Sequence, residues 1–248
     1  MKVLGIETSG PIASVAIVDE SKLIGIKMGD FKVTHSQTLM PLLDQLLKET
    51  KVKLEDIDAI AVSGGPGSFT GLRIGSATAK GLALALDKPL VHVPTLHAMA
   101  YNLLMPEAIG CIIVPMIDAR RDNVYCGIFN FIIRPDNTVE FDIFQDSTVM
   151  SVDELLEQLD TLTSLDGNPP LVVFLGDGAE VYEDKIEEKA TFNYGLAMEE
   201  AMLARADTVA LVGQLKYRLG LTVDADSEAP EYLRVSQAER ESQTKEKE

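Results

Sequence analysis

Acids at the ends of apolar runs, and glycine-rich turns ahead of helices, are where ligands meet α/β chains. This sequence has both. Glu7-Thr8-Ser9 closes the first apolar run, Asp118 closes a later one, and Ser63-Gly64-Gly65-Pro66-Gly67-Ser68-Phe69-Thr70-Gly71-Leu72-Arg73 lies between them. In a phosphotransferase such acids are the catalytic carboxylates, and such a turn offers backbone N–H groups to an anion. The block has neither the G-x-x-x-x-G-K-[ST] nor the G-x-G-x-x-G spacing, and no lysine follows its glycines. It equally suits a tight turn that lets a helix lie close against a sheet. Glu7, Thr8 and Ser9 can face a cleft or cap their own turn. Asp118 can serve a cleft or pair with Arg120 and Arg121.

Other chemistries find less support. A zinc or iron centre wants two or more histidines at helical spacing with a carboxylate near. Of the three histidines, His92 and His97 fall on a strand end and a helix start and cannot share a helix face. His35 stands just before a helix with Ser36 as its N-cap, which points to capping or an interface. No serine sits in a G-x-S-x-G elbow, and Cys111 and Cys126 lie in apolar, strand-like text as buried thiols. No catalytic residue, metal or cofactor is expected.

The elements that position these residues follow from periodicity. Three β-rich segments, Val3 to Thr8, Ala13 to Val18 and Leu23 to Met28, form a meander. From Ser36 to Thr50, Leu39, Leu42, Leu43, Leu46 and Leu47 recur at helical spacing, with Pro41 expected to kink or weaken the first turns. A strand (59 to 63), a helix (72 to 86) and a strand (90 to 93) follow. The second half repeats the order, with strands at 112–117, 124–133 and 139–144, a helix at 152–162, a strand at 171–175 and then helices. The pattern βββαβα therefore occurs twice, and two lobes facing each other are expected. In the helix after the glycine block, Gly71, Gly75, Ala79 and Ala83 make one small-residue row and Ala77, Gly81 and Ala85 a second. One row is expected to meet the sheet; the other can make a second internal contact or, with the leucine stripe of the preceding helix, meet a helix of another chain.

The 248 residues carry 39 acids against 22 basic residues, a formal charge of -17. Phosphate backbones are gripped by Lys and Arg, so this field argues against direct RNA binding and suits a partner with a basic surface. No apolar run reaches the roughly 20 residues of a membrane span, and Met1–Glu7 lacks the marks of a signal peptide, so a cytoplasmic, non-membrane protein is expected. The polar stretch Ser236 to Glu248 is expected to be a disordered tail.

Taken together, Leu4-Gly5-Ile6-Glu7-Thr8-Ser9, His35-Ser36, Gly64 through Arg73, Ile117-Asp118-Ala119-Arg120-Arg121 with Val124-Tyr125, Gly176-Asp177-Gly178-Ala179 and Pro230-Glu231-Tyr232-Leu233-Arg234 resemble the TsaB (YeaZ) family over nearly the whole chain. The resemblance implies an α/β, actin-like ATPase fold of the sugar kinase and heat-shock protein superfamily. It implies one lobe at residues 1–103, joined by a helix near 205–220, and a second at 104–204. It also implies a role as a non-catalytic scaffold that binds the paralogue TsaD and the ATPase TsaE. That complex transfers threonylcarbamoyl from its adenylate to the tRNA adenosine beside the anticodon. The chain would then touch tRNA only indirectly, and would form a homodimer when TsaD is missing. The resemblance further implies that the TsaD metal histidines fall on Thr95 and Met99 here, which cannot replace imidazole. The expected partner-binding residues are His35, Ser36, Leu39, Leu42, Leu43, Leu46, Phe69, Thr70, Arg73, Gly75 and Ala79, and the cleft residues are Glu7, Thr8, Ser9, Asp118, Gly176 and Gly178. The alternative is an independent ATP-dependent phosphotransferase of the same fold. A glycopeptidase-like hydrolase lacks a nucleophile constellation.

Overall fold

The computed structural model describes residues 1–31, 33–164 and 169–234. The first half contains β1 (Lys2–Glu7), β2 (Ser14–Asp19), β3 (Lys22–Met28), α1 (His35–Thr50), β4 (Ala59–Gly65), α2 (Phe69–Leu86), β5 (Leu90–Pro94) and α3 (Thr95–Ala100). The second contains β6 (Ile112–Asp118), β7 (Asn123–Ile133), β8 (Val139–Ser151), α4 (Val152–Thr163), β9 (Val172–Leu175), α5 (Asp177–Val181), α6 (Glu183–Lys189), β10 (Tyr194–Leu196), α7 (Glu199–Met202) and α8 (Ala206–Arg218).

Two sheets have the same topology. The first runs β3-β2-β1-β4-β5 and the second β8-β7-β6-β9-β10. In each, the three meander strands pair antiparallel, and the first of them then pairs parallel with the fourth. The repeated pattern is thus a repeated sheet order, completed by β10, which sequence reading left among helices.

Alternation along β1 shows why the first sheet is covered on both faces. Leu4 and Ile6 point to one side, where with Val15 and Ile17 they pack on Leu39, Leu42, Leu43 and Leu46 of α1 and Ala79 and Ala83 of α2. Val3 points to the other side and joins Ala59, Ala61 and Val91 against Val209, Ala210 and Val212 of α8. Each buried leucine contributes about 1.5–3 kcal/mol relative to exposure. The second sheet carries its own core around Phe129, Phe131 and Phe174, which Leu155, Leu156 and Leu159 of α4 help to close.

Local chemistry corrects several boundaries. α1 begins at His35 with Thr34 as its extended N-cap, so Ser36 lies inside the first turn and does not cap it. The helix continues through Pro41 to Thr50. α2 begins at Phe69, three residues earlier than the apolar spacing indicates, because Ser68 Oγ accepts the Gly71 N–H. β8 extends to Ser151, paired with β7 to its end. The expected tail at 236–248 lies outside the described residues.

Candidate functional site

Between the lobes lies a cleft of about 400 Å³. From the first lobe it is lined by Ser9, Gly10, His35, Gly67 and Ser68, and from the second by Asp118, Arg120, Tyr125, Gly176 and Asp177, with Met99 at the junction.

Glu7 ends β1 but turns inward and is fully buried. Its Oε1 accepts from the backbone N–H and hydroxyl of Ser9 and from the Gly10 N–H, while Oε2 has no partner. Burial pushes this carboxyl above its ordinary value, and the Ser9 bonds oppose the shift only in part. Of the two roles open to Glu7, capping its own turn is the one the geometry realises. Thr8 is also buried, with Oγ1 unpartnered. It is overlain by α2: a Cβ on Gly71 would strike the Thr8 carbonyl, and one on Gly75 the Thr8 hydroxyl. The glycine block therefore serves close approach of helix to strand. His35 donates from Nε2 to the Gly10 carbonyl at 2.9 Å, tying the start of α1 to the cleft loop.

On the opposite wall Asp118 is satisfied locally. Its Oδ1 accepts from the Arg120 N–H at 2.8 Å and the Tyr182 hydroxyl at 3.0 Å, and its Oδ2 pairs with the Arg120 guanidinium at 2.9 Å. Arg121 makes no comparable pair with it. Asp177 takes the Asp118 N–H at 3.2 Å, and burial, with the adjacent Asp118 charge, holds its carboxyl above the usual range. Burial and donation to Asp118 likewise raise the Tyr182 phenol. Arg120, Arg121 and Asp122 all adopt left-handed backbone, with φ of 66°, 55° and 57°. Left-handed conformation in residues bearing a Cβ stores strain, here concentrated on the rim of the cleft. Thr95 is buried with its hydroxyl unpartnered, and Met99 lines the cleft. Among the described residues no three His, Cys, Asp or Glu side chains gather closely enough to hold a metal ion.

The outer face of the first lobe is a second candidate site, and here the partner-binding expectation needs correction. Leu39, Leu42, Leu43 and Leu46, like Gly75 and Ala79, are buried in the chain's own core and present nothing to a partner. A leucine stripe at helical spacing is spent on the sheet beneath it. The neighbouring face of α1 leaves Met40 at 50% exposure, with Ser36 and Pro41 also outside. On α2, Phe69, Thr70, Arg73, Ala77, Gly81, Leu84 and Ala85 are exposed, Leu84 at 64%. The space beside Gly81 is open. Arg73 is engaged within the chain, its guanidinium 3.8 Å above the Phe69 ring and its Nε donating to the Tyr232 hydroxyl at 3.1 Å.

Asp177, Tyr182, Tyr125 and Tyr232 were not singled out by sequence reading for these roles. Asp177, Tyr125 and Tyr232 lie within the short matching segments and Tyr182 in none of them, and a lone tyrosine carries no spacing that marks its partner.

Two lobes of identical sheet order, closing on a cleft at the ends of β1 and β6, define an actin-like ATPase fold. Comparison with known proteins narrows this class. A family model described as "TsaD: tRNA N6-adenosine threonylcarbamoyltransferase" matches residues 22–242. The tRNA threonylcarbamoyladenosine biosynthesis protein TsaB of Bacillus subtilis is 30% identical over 241 residues, 96% of each chain. A tRNA N6-adenosine threonylcarbamoyltransferase of Lawsonia intracellularis is 41% identical over 113 residues, 40% of this chain and 32% of its own. A crystal structure from Pseudomonas aeruginosa, described as similar to peptidase YEAZ, superposes with a TM-score of 0.74 at 25% identity, covering 94% of this chain and 99% of that one. The chain belongs to the TsaB family, within the wider family of the TsaD model, and so to the proteins of tRNA threonylcarbamoyladenosine biosynthesis. No helix among the described residues is long and apolar enough to cross a membrane.

Proposed function

We propose that this chain is a non-catalytic scaffold subunit. On this reading it binds TsaD, and with it TsaE, during transfer of threonylcarbamoyl from threonylcarbamoyl-AMP to N6 of the tRNA adenosine beside the anticodon. The observation that carries the reading is the open row Ala77, Gly81 and Ala85 on α2, with Leu84 and Phe69 of the same helix and Met40 of α1 also exposed. Small residues four apart let another backbone approach closely, and the exposed apolar side chains beside them supply area to bury. The same face is the one a second copy of the chain would use when TsaD is absent. The lobes taken here are residues 1–103 together with α8, and residues 104–204.

The cleft supports the non-catalytic part of the reading. Glu7 is fully buried with its Oε1 capping its own turn, and Asp118 is held by Arg120 and Tyr182. By the family resemblance, the TsaD metal histidines would fall on Thr95 and Met99, neither of which replaces imidazole. The paired acids Asp118 and Asp177 are what favours the competing phosphotransferase reading.

Titration calorimetry of TsaD with the chain tests the interface. Wild type is expected to bind, and Gly81→Asp and Leu84→Asp are expected to lose at least tenfold in affinity while keeping wild-type melting temperature. Unchanged affinity in both folded variants contradicts the placement.

A further inference from the structure

The described residues beyond α8 stay on the molecule. Residues 221–234 return across the first lobe as a strap. Val223 donates its N–H to the Leu90 carbonyl at 2.9 Å, a single bridge on the edge strand β5. Glu228 then inserts a fully buried side chain, Oε2 accepting from Ser76 of α2 and Oε1 lying 3.7 Å from Nδ1 of His92 on β5. Burial alone would raise this carboxyl, but His92, Ser76 and the Lys80 charge bring it below its ordinary value, although Oε1 itself accepts no hydrogen bond. Glu231 donates its N–H to the Gly64 carbonyl at 2.7 Å. The close approach is possible because Gly65, at φ 118°, has no Cβ to meet the Glu231 carbonyl.

Residues 232–234 change lobes. The Tyr232 ring packs on Phe69 with centroids 4.7 Å apart and accepts Arg73 at its hydroxyl. Two residues on, the Arg234 guanidinium donates to the carbonyl of Ala119 in the second lobe. The two attachments are on opposite rims of the cleft. Ser68, beside Phe69, lines it from one side, and Asp118 and Arg120, on either side of Ala119, line it from the other. Among the described residues the strap thus has several fixings on the first lobe and one charge-assisted hydrogen bond reaching the second. That bond lands at the start of the strained left-handed turn Arg120-Arg121-Asp122.

We propose that residues 228–234 form a latch across the rim of the cleft, holding the lobes at their present spacing, and that releasing Arg234 from Ala119 lets the cleft open.

Hydrogen–deuterium exchange on the full chain tests it. Arg234→Ala is expected to speed exchange about tenfold, the scale of one charge-assisted bond, at amides on both rims, residues 64–73 and 117–123, with β7 and α4 unchanged. Arg234→Lys, which still donates to one carbonyl, is expected to restore wild-type exchange at residues 117–123. Tyr232→Ala, acting from the other lobe, is expected to reproduce the Arg234→Ala pattern. Acceleration confined to the strap overturns the latch. So does a uniform rise that includes β7, because the strap would then hold the fold and not the cleft.

Discussion

Glu7 shows how burial converts a strand-end acid into a stability liability. Its folded-state pKa is raised above about 4.5, chiefly by desolvation, so the folded protein holds a proton the unfolded chain gives up. Between those two values the folded state binds more protons, and stability falls as pH rises. Glu7→Gln keeps an acceptor for the Ser9 and Gly10 donors and removes the ionisation. Its melting temperature is expected to exceed wild type at pH 7, with the difference shrinking toward pH 4.5; a constant difference across that range would remove desolvation as the cause. Leu43 and Ala79 behave differently from surface contacts. Being buried in the core, Leu43→Asp and Ala79→Asp are expected to cost about 3 kcal/mol or more and to lower the denaturation midpoint sharply, whatever they do to partner binding. At this scale the sequence showed which residue types mattered and not where their side chains point. Glu7, Asp118 and His35 were legible as strand-end and helix-start polar residues, whereas the partnership of Asp118 with Tyr182 spans 64 positions. No local pattern announces such a contact.

Helices and strands were more legible where their own residues decided them. The α1 stripe and the small rows of α2 follow from 3.6-residue periodicity, and α4 carries its start signal in Ser151 and Glu154. Ser151 Oγ accepts the Glu154 N–H at 3.2 Å and Glu154 Oε2 takes the Ser151 N–H at 2.8 Å. Ser151→Ala is expected to destabilise the protein by about 1 kcal/mol in urea denaturation, and an effect below a few tenths would show that tertiary packing alone holds the helix end. What periodicity leaves open is which neighbour a stripe faces. An apolar stripe packs equally well on its own sheet or on another chain, and for α1 the sheet took it. Tertiary pairing also overrode local text: residues 145–151 of β8 are largely polar but pair with β7 as far as Ser151, and the three residues of β10 pair with β9 beside them.

For the whole molecule, the repeated βββαβα order was readable because each lobe spells out its elements in the same succession, although the residues do not repeat. The return of the strap was not readable, since Tyr232 reaches Arg73 across 159 positions. The acidic charge of -17 and the open small-residue face of α2 are the two features on which the proposed scaffold role rests. The most direct measurement is threonylcarbamoyladenosine formation on tRNA by purified TsaD and TsaE supplied with threonylcarbamoyl-AMP. It is run without this chain, with wild type, and with Gly81→Asp. The expected result is modification with wild type, little or none without it or with Gly81→Asp, and no turnover of ATP by the chain alone. Full modification in its absence, or ATP-dependent phosphorylation of a small substrate by the isolated chain, would contradict the scaffold account.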